Sequence, residues 1–122
     1  MLRTEDPLIP ERSGTTSDRR TIAIVFDHID LNFHQKLRLV ELAKIAGLSP
    51  WHFIRRFKVT AGRTPHQYII EKRICAAKHL LENTTASLVE IAYDVGFSSQ
   101  AHFTVVFRDF VGTTPRAYRT SQ

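Results

Sequence analysis

The apolar positions of this chain fall into short helical stripes, and the stripes come in two matching sets. Leu39, Leu42, Ala43 and Ala46 stand at i, i+3, i+4 and i+7, the spacing of one helix face. Leu88, Ile91, Ala92 and Val95 repeat that face. Gly47 and Gly96 follow, where a helix end favours a left-handed residue. Next come Phe53, Phe57 and Ala61, matched by Phe103, Phe107 and Val111. Ser49 and Ser99 are suited to cap these second helices, and Pro50, at a first helical position, sacrifices no needed N–H. Gly62 and Gly112 stop them, and Thr64-Pro65 and Thr114-Pro115 look like starts of further helices. Two short helices joined by a glycine-containing turn make a helix-turn-helix, expected over about 39–61 and again over about 88–111.

The two segments are copies. Thirteen pairs are identical, among them Glu41/Glu90, His52/His102, Phe57/Phe107 and Tyr68/Tyr118. The offset is 49 residues through Gly47/Gly96 and 50 from Ser49/Ser99 onward. One extra residue therefore sits just after the glycine, where a turn absorbs it. An internal repeat constrains the fold more strongly than any single motif.

Around the copies the pattern stays helical. A first helix is predicted from Asp18, as N-cap, to about Asn32, with Ile22, Val25, Phe26 and Ile29 on its buried stripe. Residues 33–38 read as a loop. Pro65 to Asn83 reads as one linking helix, about 28 Å long at ~1.5 Å per residue. Its apolar set is Tyr68, Ile69, Cys75, Ala76, Leu80 and Leu81, with Cys75 expected as a small buried hydrophobe. Phe110 joins the other phenylalanines as a packing residue. A short helix follows from Pro115. The prediction is an all-α fold of seven helices: two helix-turn-helix lobes joined by the long helix, preceded by residues 1–18 as a flexible tail or linker remnant.

Charge changes the picture of partners. The chain carries a net +5, unevenly distributed: residues 1–18 are at −2 and residues 19–122 at +7. A basic body suits a polyanion without choosing among DNA, RNA and an anionic membrane. The single cysteine excludes an internal disulfide and fits a reducing cytoplasm. No stretch approaches the roughly 18 apolar residues of a membrane span. The sequence offers no nucleophile–base pair and no glycine-rich phosphate loop, so no enzyme and no cofactor are expected. Six histidines invite a metal, but His52 and His102 lie in separate copies and no metal site is expected. The first-turn acids Glu41 and Glu90 suit the helix dipole better than catalysis.

A helical wheel assigns the chemistry. On residues 50–61, Phe53 and Phe57 point inward while Trp51, Arg55 and Lys58 point out. Arginine there can bind a guanine edge in bidentate fashion, and an exposed tryptophan usually has a partner surface. On residues 100–111 the outward set is Ala101, Val105 and Arg108, flanked by Gln100 and Thr104. Val105 stands where Arg55 stands, so the second surface is the less polar one. Both helix N-termini could receive phosphate.

From about Arg20 to Arg119 the sequence resembles the DNA-binding domain of the AraC/XylS family of bacterial transcription regulators, in the plan of its small single-domain members. LVELAKIAGLSPWHFIRRFK, GRTPHQYI and above all IAYDVGFSSQAHFTVVFRDFVGTTPRAYR carry the likeness. The resemblance implies an AraC-type DNA-binding domain over 19–122, with homeodomain-like three-helix units whose recognition helices enter successive major grooves about 34 Å apart. It implies base contacts from Trp51, Ile54 and Arg55 in the first lobe and from Gln100, Ala101, Thr104 and Val105 in the second. Ser49, Arg56, Lys58, Ser99 and Arg108 are expected at phosphates. Double-stranded DNA is the implied partner, together with RNA polymerase, for a cytoplasmic, nucleoid-associated protein that is a monomer on DNA and has no membrane contact.

Overall fold

The structure, a computed structural model, describes residues 16–122, with side chains from residue 19 onward. The described residues form seven helices and no strand. They are α1 (Thr16–Asn32), α2 (Leu39–Ala46), α3 (Pro50–Ala61), α4 (Pro65–Asn83), α5 (Leu88–Asp94), α6 (Gln100–Val111) and α7 (Pro115–Thr120). Among the described residues two compact units result, one from residues 16–31 and 37–67, the other from residues 32–36 and 68–122.

In the first unit, α1 buries Ile22, Val25 and Ile29 with Leu42, Ala43, Phe53 and Phe57 of α2 and α3. Phe26 is half-buried and lays its ring against Phe57, with centroids 5.1 Å apart. The helix already includes Thr16 and Ser17, so Asp18 is not its cap; neither Gly nor Pro interrupts 16–32. Residues 16–18 thus leave the expected tail, whose other fifteen positions lie outside the described residues.

The second unit has its own core: Ile70, Ile74, Ala77 and Leu81 of α4, Ile91, Ala92 and Val95, and Phe97, Phe103 and Phe107. The buried stripe of α4 therefore runs through 70, 74, 77 and 81. Ala76 and Leu80 only flank it, and Cys75 is exposed rather than buried. Phe110 corrects a second expectation. It shares the stripe of Phe103 and Phe107 but sits in the last turn of α6, past the end of the core, and is 49% exposed.

The turn between the paired helices is the same in both units. Leu48 N–H donates to Ala43 O at 3.0 Å and Gly47 N–H to Lys44 O at 3.0 Å. Phe97 and Gly96 make the matching bonds to Ala92 O and Tyr93 O, at 2.9 and 3.1 Å. These are the paired bonds of a Schellman ending, which satisfies the last carbonyls of each first helix and needs a left-handed residue at the glycine. Gly47 has φ 73° and Gly96 φ 111°. The extra residue of the second copy, Ser98, lies between this ending and the next cap.

Candidate nucleic-acid interface

Both second helices start from a serine cap. Ser49 Oγ accepts from His52 N–H at 3.3 Å, and Ser99 Oγ from His102 N–H at 3.1 Å. Each ends on a left-handed glycine, Gly62 or Gly112. From residue 50 to residue 67 every position has the same exposure class as its partner fifty residues on. The repeat thus holds α3 and α6 on their phenylalanines in the same rotation and presents equivalent faces to solvent.

What those faces carry differs. On α3, Trp51 is 60% exposed, Arg55 and Lys58 are exposed, and Ile54 and Arg56 are half-buried. The Arg55 guanidinium lies over the Trp51 ring, 4.7 Å from its centroid. The helix has three basic and no acidic residues. On α6, Gln100, Ala101 and Arg108 are exposed, Val105 is 46% exposed and Thr104 half-buried; Asp109 cancels Arg108 within the helix. The fold therefore brings Trp51 and Arg55 into contact and leaves Ala101 and Val105 as a bare apolar step on the other helix.

The sequence did not reveal the role of His52. Its Nδ1 lies 2.8 Å from Ser49 Oγ, and its ring meets Trp51 edge to face at 5.1 Å. His102, its copy, instead meets Phe97 edge to face at 5.4 Å. The usable signal was a histidine three residues after a serine cap and one after a tryptophan. Two structural arginines also went unread. Arg73 donates to Phe33 O at 2.7 Å and Gln35 O at 2.9 Å, and burial lowers its pKa. Arg119 donates to the carbonyls of Ala86, Leu81 and Thr84, at 2.7, 3.2 and 3.2 Å, and ties the α4–α5 connection to α7. Among the described residues no group of three metal-ligating side chains forms, and no helix is long and apolar enough to cross a membrane.

A family model described as a helix-turn-helix domain matches residues 42–121. A transcriptional regulator from Chromobacterium violaceum, described as having an AraC-type DNA-binding domain, superposes with a TM-score of 0.77 at 29% identity, covering 87% of this chain and 95% of that one. The chain belongs to the AraC-type helix-turn-helix family. Another solved relative is the DNA-binding domain of AdpA, a global transcriptional factor, in complex with a target DNA. It matches with a TM-score of 0.79 at 33% identity over 83% of this chain and 91% of that one. The HTH-type transcriptional activator AarP of Providencia stuartii is 30% identical over 115 residues, 94% of this chain and 85% of AarP. Other curated relatives are longer: the chain spans 41%, 48% and 36% of three of them. The family is one of DNA-binding transcription regulators, and the all-α, seven-helix expectation stands.

Proposed function

We propose that residues 19–122 form a sequence-specific DNA-binding domain that regulates transcription, with α3 and α6 each entering a major groove. The observation that carries this is the matched exposure of α3 and α6, which turns a Trp–Arg face and a Gln–Ala–Val face to solvent from the same scaffold. Solution of the AdpA relative with its target DNA supports it. Trp51, Ile54 and Arg55 face bases in one half-site, and Gln100, Ala101, Thr104 and Val105 in the other. Ser49, Arg56, Lys58, Ser99 and Arg108 lie along phosphates and set register rather than sequence. The protein works in the cytoplasm on the nucleoid with RNA polymerase as its partner; the name of AarP, a transcriptional activator, favours activation; and the chain either acts alone or forms the DNA-binding part of a longer effector-responsive regulator.

Selection of bound duplexes from a random pool, followed by gel shift against a scrambled duplex, tests the proposal. The expected result is one enriched asymmetric site bound at least about a thousandfold more tightly than random DNA, the usual floor for specific binders. Equal affinity for both duplexes would refute it.

A further inference from the structure

On α3 a string of contacts runs from the helix cap to the outermost cation. Ser49 Oγ lies 2.8 Å from His52 Nδ1, the His52 ring meets Trp51 edge to face at 5.1 Å, and the Arg55 guanidinium lies 4.7 Å from the centre of the Trp51 ring. Trp51 keeps 60% of its surface exposed, so core packing does not account for its place. The copy on α6 has neither partner of the stack: Ala101 and Val105 stand at those positions, and His102 turns to Phe97.

An unsupported arginine on a helix face samples many rotamers and loses that freedom when it grips a base. A guanidinium already laid on an aromatic face has surrendered much of it, and the planar fork keeps its edge N–H groups available for a second, coplanar partner. Guanine, with two acceptors on one major-groove edge, suits that fork.

We infer that Trp51 is a positioning residue: its ring holds the Arg55 guanidinium ready for guanine, and its contribution to base discrimination passes through Arg55. The inference rests on the DNA-reading role proposed above and replaces a direct base contact by Trp51. The α6 half-site lacks such a device and discriminates through methyl and amide contacts.

A double-mutant cycle on the selected duplex tests this. Affinity is measured for wild type, Trp51→Ala, Arg55→Ala and the double variant, on the selected site and on the site with the guanine read by Arg55 changed to adenine. Circular dichroism confirms that all four are helical. With Arg55 present, Trp51→Ala is expected to reduce the guanine-over-adenine preference by about two- to fivefold, the scale of an exposed cation–π contact. In the Arg55→Ala background it should change that preference little. Trp51→Phe should restore much of it and Trp51→Leu should not, because leucine supplies bulk without a π face. If Trp51→Ala costs the same preference in both backgrounds, or leucine restores it as well as phenylalanine, the positioning role is overturned while the DNA-reading helix stands. If Arg55→Ala leaves base preference unchanged at every position, the reading of guanine by Arg55 fails, and the inference with it.

Discussion

Two glycines that look alike in the repeat do different work. At Gly47 an added Cβ meets nothing within 4 Å, and only its φ of 73° disfavours a side chain. At Gly96 the Cβ falls 2.7 Å from Arg73 Nε and 3.0 Å from Phe33 O, where Arg73 donates to that carbonyl. Gly47→Ala is expected to cost about 1–2 kcal/mol, the penalty of left-handed backbone. Gly96→Ala adds disruption of a charged hydrogen bond and should cost about 1.5–3 kcal/mol more. Urea titration of both variants measures the difference, and equal losses would show that Arg73 relaxes freely. The sequence marked both glycines as helix ends; it could not show the crowding, because Phe33 and Arg73 are forty residues apart. Tyr118 supports a second residue-scale prediction. Its hydroxyl donates to Glu82, and that bond, with burial and the carboxylate's charge, raises its pKa above the ordinary 10.0. The folded state therefore holds this proton more tightly than the unfolded chain does. The contribution is fully present below pH 10 and falls away as pH rises through the raised value. Tyr118→Phe should remove that alkaline fall in stability, and an unchanged pH profile would count against the bond.

At the level of elements, boundaries were legible where local chemistry sets them. Pro, Ser, Thr and Gly punctuate α3, α4, α6 and α7, and those helices start and stop at these residues. The buried face of α4 was legible only in part: Tyr68, Ile69 and Leu81 are buried as expected, while Ile70, Ile74 and Ala77 are buried where Cys75, Ala76 and Leu80 were expected. Tyr68, Ile69, Ile70, Ile74, Ala77 and Leu81 wind around more than one side, and packing rather than periodicity selects among them. For the interface, the outward turn of Trp51, Arg55 and Val105 followed from the wheel. The Trp51–Arg55 stack and its His52 brace are contacts that a wheel does not show. The first helices of the two helix-turn-helix pairs, α2 and α5, also differ in a way that can be repaired. Ser87 and Glu90 form a reciprocal capping box on α5, with bonds of 2.9 and 3.1 Å. On α2 the matching glutamate is present as Glu41, but Arg38 occupies the cap and makes no side-chain cap bond. Its extended backbone, φ −95° and ψ 137°, already suits a capping serine. Arg38→Ser should therefore raise stability by about 0.5–1 kcal/mol in a urea melt. No gain would mean that Glu41 cannot complete the box.

For the whole molecule, function turns on how charge and reading surfaces are divided within one chain. Residues 19–122 carry a net +7, and α3 alone holds three basic residues and no acid. If one chain with two unlike helix faces fills two half-sites, as proposed, a one-to-one complex on an asymmetric site is expected in sedimentation. Salt dependence then separates the proposed roles. If Arg56, Lys58 and Arg108 face phosphates while Arg55 faces a base, these three side chains alone give a slope of log K against log salt of about −3, at ~0.9 per neutralised phosphate. Lys58→Ala and Arg108→Ala should each make that slope shallower by about one and weaken selected and random duplexes alike. Arg55→Ala should instead cost about 1–3 kcal/mol on the selected duplex and relax discrimination at one or two base pairs. Random DNA should respond to it far less. Gel-shift titrations of the four proteins over a range of salt, on both duplexes, measure slope and discrimination together. Should Arg55→Ala change the slope as Lys58→Ala does and leave base preference intact, Arg55 is a phosphate contact, and sequence reading passes to the Gln100–Val105 face of α6.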